Sequence, residues 1–443
     1  MYSKVTLFLQ KKIKNDFWRK LLKNVVIVFT GNSFSSAINM FSLFFILLIL
    51  NKDDYGMFTI SQNYMFLIDA LANFQSWQGV IRYGSFAIEN KNEEQLCATI
   101  KMGLFIDIAT CFLGAAIGIF LTDTIANVFA WNEITKTLCY IFCLEIIFHI
   151  EGAITGILRL FDKFKYTIYH SVFCSVVKLV VILLYFFTGG SNIVVFTCIY
   201  VVTDIVKYII YLGVGMYALH VKLGIRKTFN SSLKKVNAEH FRYTIWSNLT
   251  STFDVPIKYF DVFFLSLISN SVVASYKIYQ QVVALLGVMI VPISQVIMPQ
   301  LSELIAKNNN QEAYRKVMEL KRVLLKILIP FSIAAMVAST IVFRYFKSGD
   351  YYGDIYILYM LLIMNIFTFS YVGIHPLFSA YGYSKLNAFI TLGTNILYII
   401  LAVLCVQFMG ITGIILAAFI QFLATILLKQ YFIKKLIGKT GDT

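Results

Sequence analysis

Charge is scarce in this chain: only 14% of its 443 residues are Asp, Glu, Lys or Arg, whereas 59% are hydrophobic and the mean hydropathy is +0.75. That balance excludes an ordinary soluble enzyme and describes an all-α polytopic membrane protein. No polar stretch is long enough to fold by itself; the longest, 220–241, reads as a loop. With only five prolines the apolar helices can run long, and Pro292 and Pro299 mark expected bends in one of them. The seven cysteines show no disulfide or metal spacing. Cys139 and Cys143 sit one helical turn apart, a poor geometry for a bridge. No metal and no other cofactor is therefore expected. A Gly-rich loop ending in Lys-Ser/Thr is also lacking, which leaves an ion gradient or substrate supply as the driving force. The N-terminal region lacks an obvious signal-peptide cleavage site. Instead Val5, Phe8, Leu9, Ile13, Phe17, Trp18, Leu21 and Leu22 alternate with lysines, as in an amphipathic segment on the cytoplasmic surface over 1–24.

What is abundant is apolar length. Twelve spans are expected, with cores near 25–49, 57–86, 98–122, 136–160, 166–187, 193–218, 243–268, 272–302, 320–345, 355–380, 386–408 and 411–432. Each can cross about 30 Å of hydrocarbon. The net charge of +15 is explained by membrane sidedness and gives no reason to expect a nucleic-acid partner. Of the 38 Lys and Arg, 28 fall in segments on the N-terminal side of the membrane and four on the other side. By the positive-inside rule both termini are expected in the cytoplasm. The 220–241 loop divides two six-helix lobes, 25–219 and 242–433, followed by a cytoplasmic tail at 434–443. Six is even, so the lobes are expected to be parallel repeats. Gly31-Asn32-Ser33 and Ser247-Asn248-Leu249 open corresponding spans, and Lys163-Phe164-Lys165-Tyr166 and Lys385-Leu386-Asn387-Ala388 follow corresponding ones.

Charge buried in a span is costly, so it marks function or a satisfied partner. Six cations (Arg82, Lys178, Lys207, Lys258, Lys277, Lys326) and seven acids (Asp69, Asp107, Glu145, Glu151, Asp204, Asp254, Asp261) fall within the spans, with spans 10 to 12 essentially uncharged. Asp254, Lys258 and Asp261 follow i, i+4, i+7 spacing around Pro256, which predicts one charged helix face in span 7 with Lys258 neutralised by either acid. Lys178 and Lys207 lie at similar depth on adjacent spans. Asp204 is placed to pair with Lys207, whereas Lys178 has no acid within a helical turn; its partner is either a ligand or Asp107 or Glu145 from a neighbouring span. Arg82, Lys277 and Lys326 can snorkel. Glu145 and His149 share a face as a proton-handling or hydrogen-bonding pair, without a convincing metal set. Asp69, Gln75, Gln78 and Arg82 give span 2 a polar face, as Asn32 and Asn39 do for span 1. The aromatic content of 16%, Trp246, Tyr276 and Tyr279 included, can stack on sugars or form the interface belt.

Short motifs in consistent order carry a resemblance over nearly the whole chain. They are Asp54-Tyr55-Gly56 and Arg82-Tyr83-Gly84 around span 2, Gly156-Ile157-Leu158-Arg159 with Lys163-Phe164-Lys165 after span 4, Pro299-Gln300-Leu301 ending span 8, and Gly410-Ile411-Thr412-Gly413 between spans 11 and 12. On these the chain resembles the Wzx-type polysaccharide flippases of the multidrug/oligosaccharidyl-lipid/polysaccharide exporter superfamily. The resemblance implies two six-helix lobes around a cavity that opens alternately to each side, in a bacterial inner membrane. It implies a lipid-linked oligosaccharide, such as an O-antigen or capsule repeat unit on undecaprenyl pyrophosphate, moved from the cytoplasmic to the periplasmic leaflet. The bilayer is then a partner, with polysaccharide polymerase and chain-length machinery as further candidates. The site residues come from the reading of buried charge and not from a family motif. Lys178, Lys207, Lys258, Arg82 and Lys277 are the substrate candidates, and Asp254, Asp261, Asp204 and Asp69 the candidates for coupling to H⁺ or Na⁺. Two rivals stand beside this reading. A multidrug/cation antiporter of the same superfamily predicts a cavity dominated by acids; a membrane-embedded glycan polymerase needs a larger outer loop than 123–135.

Overall fold

The computed structural model describes residues 34–441 except 75, 308 and most of 237–251. The amphipathic segment expected at 1–24, together with Asn32, Gln75 and Trp246, lies outside the described residues. The first compact unit spans Ala37–Val273. It contains most of α1 (Phe34–Ile49), then α2 (Lys52–Ala72), α3 (Trp77–Glu89), α4 (Glu93–Val128), α5 (Glu133–Ile146), α6 (Gly152–Leu160), α7 (Phe164–Phe187), α8 (Ile193–Lys222), α9 (Ile225–Asn230) and α10 (Val255–Ser266). The second unit is built chiefly on Ala274–Thr443, with α11 (Asn270–Ala306), α12 (Asn310–Tyr345), α13 (Ile355–Ser370), α14 (Ile374–Ala380) and α15 (Ser384–Gly441).

Asparagine sets several of the helix starts. Asn51, Asn92, Asn132 and Asn192 precede α2, α4, α5 and α8, and each side-chain oxygen accepts from a first-turn backbone N–H. These caps satisfy donors that have no partner inside the helix. Among the described residues, six helical stretches are long and apolar enough to cross a bilayer. Spans 1 and 7 lie partly outside the described residues, and several of the others are discontinuous. Span 2 is interrupted between α2 and α3, and span 4 between α5 and α6. The last two spans form one 58-residue helix. Unbent, it would be about 87 Å long, but Gly410 (φ 57°, ψ −133°) breaks its path in a region open mainly to glycine.

The two units repeat one local pattern. α5 and α6 are the halves of a broken span, as are α13 and α14. The turns that follow place Asp162 and Gly382 at positive φ, just before α7 and α15. Both matches have the same offset of 220 positions, 162 to 382 and 164 to 384. This register pairs Lys165 with Lys385, where the sequence pattern alone matched Lys163 with Lys385.

The units part between Val273 and Ala274, not in the 220–241 connection. The cause is packing of α10 on α2. Gly56 approaches the Asn270 carbonyl so closely that a Cβ there would overlap it. Asn63 Nδ2 donates to the Tyr259 carbonyl at 2.8 Å, and Trp131 Nε1 donates to Ser266 Oγ at 2.9 Å.

The connection itself is not loose where it is described. Lys101 Nζ donates to the carbonyls of Phe229 (2.7 Å) and Ser231 (2.9 Å). Lys227 and Lys235 pair with Glu93 and Glu94 at the start of α4. The hydrogen bond to Glu93 holds the Lys227 ammonium above its ordinary pKa. Exposed pairs of this kind contribute little by themselves. The anchor is the buried Thr228, whose hydroxyl lies 3.8 Å from Cys97 Sγ. A Thr228→Cys variant is accordingly expected to cross-link to native Cys97 under mild oxidation, detected by loss of both thiols to alkylation. Persistence of two free thiols would contradict the docked arrangement.

Candidate functional site

The breaks in spans 2 and 4 meet inside the first unit. At the end of α2, Asp69 holds Asn73, whose amide also donates to the His149 carbonyl at 3.0 Å. His149 Nδ1 lies 2.8 Å from Asp69 Oδ2, and its Nε2 lies 3.6 Å from Glu151. Asp107 of α4, fully buried, accepts from the backbone N–H of Ser76 (3.0 Å) and of Ala153 (2.5 Å). One carboxylate thus caps the starts of both lower half-helices, α3 and α6, where helix dipole and unpaired N–H groups favour an anion. Asp107 is therefore not the partner of Lys178.

That partner is Asp204. Lys178 Nζ lies 2.6 Å from Asp204 Oδ2, and Lys207 Nζ 3.7 Å from Oδ1. The expected Asp204–Lys207 pair is present, but the expectation that Lys178 turns to a ligand, Asp107 or Glu145 is corrected: α7 and α8 form a hairpin that sets Lys178 beside Asp204. Each ammonium also faces an aromatic ring, Lys178 at 3.4 Å from the Tyr200 centroid and Lys207 at 4.1 Å from that of Tyr208. Such contacts favour a cation more as water is excluded. Gln62 fixes the Tyr200 hydroxyl at 3.0 Å. Lys207 is the more open of the two, its side chain 31% exposed against 18% for Lys178.

Glu145 and His149 do not pair with each other. His149 lies beyond the end of α5 and turns to Asp69, whereas Glu145 Oε1 accepts from the Tyr208 hydroxyl at 3.3 Å. The Tyr208 ring lies against His149, centroids 4.7 Å apart, and so joins the two clusters.

The charged face expected in span 7 is not a single helix face. α10 starts at Val255, so Asp254 precedes it and Pro256 occupies the first turn, where a missing N–H costs nothing. Asp261 is buried and accepts from the N–H of Val262. Lys258 is exposed and, among the described residues, pairs with neither acid. Arg82 lies exposed on α3 near the ring of Tyr83, and Lys277 is half-buried on α11. The structure therefore brings together Lys178, Asp204 and Lys207, with Asp69 linked through His149 and Tyr208.

The second unit also carries buried charge, against the expectation for spans 10 to 12. Lys429, within span 12, is 2% exposed and lies 2.7 Å from His375 Nδ1. Gln421 and Thr425, two turns and one turn earlier on α15, bond to Asn395 (3.0 Å) and Thr394 (3.0 Å). At the α13–α14 break, Lys321 Nζ contacts the Tyr371 hydroxyl at 2.5 Å.

Comparison with known proteins bears on this geometry. Residues 21–305 match the family described as polysaccharide biosynthesis protein. The inner membrane protein YghQ of Escherichia coli (strain K12) is 24% identical over 147 residues, which span 33% of this chain and 41% of that protein. The inward-facing conformation of a multidrug resistance MATE family transporter of the MOP superfamily superposes with a TM-score of 0.74, at 13% identity, covering 96% of this chain and 99% of that one. A MOP superfamily transporter from Pyrococcus furiosus, described by the reverse polarity of its binding pocket, matches with a TM-score of 0.63 at 14% identity, covering 96% and 97%.

Proposed function

The chain belongs to the polysaccharide biosynthesis protein family, and from that premise we propose that it flips lipid-linked oligosaccharide from the cytoplasmic to the periplasmic leaflet. The fold is that of MOP-superfamily transporters, and the protein is a multi-pass inner membrane protein. Transport by alternating access keeps the lipid tail in the bilayer while the glycan avoids hydrocarbon, where its hydroxyls would lose their hydrogen bonds.

One observation carries the reading. The Lys178–Asp204–Lys207 cluster holds two ammonium groups for one carboxylate, and its weaker pair leaves Lys207 partly exposed. A pyrophosphate or sugar acid can displace or share that contact. Lys207 becomes the direct contact and Lys178 the residue that holds Asp204 in place. Arg82, Lys258 and Lys277 are retained as further substrate contacts. Asp69, Asp204, Asp254 and Asp261 remain the coupling candidates for H⁺ or Na⁺. Polysaccharide polymerase and chain-length machinery are the proposed downstream partners.

A multidrug/cation antiporter is the second reading, favoured by a group of buried or half-buried acids in the first unit that includes Asp69, Asp107, Glu145, Glu151 and Asp204. Reconstitution with fluorescent undecaprenyl-pyrophosphate oligosaccharides distinguishes the two. Wild type is expected to change the leaflet accessibility of the glycan; Lys207→Ala and Lys178→Ala insert normally but flip at least tenfold more slowly. Normal flipping by both variants would remove them from the site. Dye efflux without any flipping would overturn the main reading.

A further inference from the structure

Glu145 is the acid for which the first unit supplies least. It lies on α5, 2% exposed, and its Oε1 accepts from Tyr208. Its Oε2 has no hydrogen-bond partner among the described residues. The acids around it are each provided for. Asp69 has His149 and Asn73, Asp107 has two backbone N–H groups, Asp204 has two lysines, and Glu151 reaches His149 and is 39% exposed.

The charges that face Glu145 are Lys178 from α7, Asp204 and Lys207 from α8, and His149 beyond its own helix, with Asp69 and Glu151 across the Tyr208 ring. Four carboxylates, Glu145 included, thus meet two lysines and one histidine. The cluster stays net negative even with His149 protonated, so it requires an added positive charge. A buried carboxylate oxygen with no donor is the place where that charge is most favourable, because protonation removes both the naked oxygen and the excess charge.

We propose that Glu145 is held as the neutral acid and that its proton is the exchangeable coupling proton of the first unit. The proposal deepens the ion-coupled part of the transport reading above and rests on it only for the word coupling. In the step itself, an O–H bond forms at Oε2 with a proton from hydronium, leaving water; release reverses it. Glu151 and Lys207, both partly exposed and flanking Tyr208, mark the wet side from which the proton arrives. Tyr208, which touches Glu145, His149 and Lys207, positions the acid and separates it from that side.

Infrared spectroscopy of lipid-embedded protein labelled with ¹³C-carboxyl glutamate tests the assignment without any transport substrate. Wild type at neutral pH is expected to show an isotope-shifted C=O stretch of a protonated carboxylic acid, which bleaches on alkaline titration. Glu145→Gln loses that band. Glu145→Asp retains a protonated-acid band but loses the isotope shift, since aspartate is unlabelled; this variant serves if the glutamine form fails to fold. Absence of the band in wild type, or its full strength in Glu145→Gln, overturns the proposal. So does its removal by NaCl in place of choline chloride at fixed pH, which would make the occupant Na⁺. The spectrum and the flipping assay fail independently: a protein that flips nothing yet shows the band keeps its proton site, and one that flips normally without the band does not.

Discussion

Asp204→Ala is expected to destabilise the first unit by about 3–5 kcal/mol, the range for breaking a buried ion pair from one side. The effect should exceed that of either lysine substitution. Removing Lys178 leaves Asp204 with Lys207 at 3.7 Å, and removing Lys207 leaves it with Lys178 at 2.6 Å. Removing Asp204 leaves two ammonium groups side by side without their contacting carboxylate, over the faces of Tyr200 and Tyr208. Denaturant or thermal unfolding of the purified protein measures the difference. The double variant Lys178→Met, Asp204→Leu should recover much of the loss, because a buried pair replaced by apolar side chains of similar volume is often neutral. Equal destabilisation by Lys178→Ala and Asp204→Ala would mean that Lys207 does not sense Asp204 at all.

The same cluster shows what could be read from the chain and what could not. Both lysines and Asp204 stand out in sequence because charge in a span is rare, and their placement on adjacent spans follows from the short turn at 188–192. The Lys178–Asp204 pairing does not follow from helical spacing, because Asp204 already lies one turn from Lys207, which turns attention for Lys178 to a ligand, Asp107 or Glu145. Lys178 and Asp204 stand the same number of residues either side of Ser191, so in a hairpin they share a level. That symmetry was the available signal. For span 7 the helical period was extrapolated through Pro256, a residue as much at home at a helix start as at an interior kink. A continuous helix through it gives the three charges a shared face that the chain does not build. Lys429 stands near the end of span 12, and a two-turn polar stripe, Gln421 and Thr425, leads directly to it.

The breaks in spans 2 and 4 were the least legible features. Span 2 reads as one long apolar run with scattered polar residues, and neither Asn73 nor Ser76 stops a helix alone. What stops it is a carboxylate on another helix. An Asp107→Ala variant should therefore test the architecture of the whole site. It leaves the backbone N–H groups of Ser76 and Ala153 buried without an acceptor, at about 1–3 kcal/mol each and thus about 2–6 kcal/mol together. Asp107→Asn retains a single acceptor oxygen and presents an amide donor to the second N–H, so it should fall between the two. Hydrogen exchange separates local from global effects: the amides of Ser76 and Ala153 should exchange faster in both variants under conditions where α4 itself remains protected. Asp69, Asn73 and His149 are held between the same two breaks. Loosening the starts of α3 and α6 should therefore also weaken the Asp69–His149 pair and shift the His149 ring signal in NMR. If exchange at Ser76 and Ala153 stays slow in Asp107→Ala, the half-helices hold their starts without the carboxylate. The breaks would then be a property of their own sequences rather than of the cap.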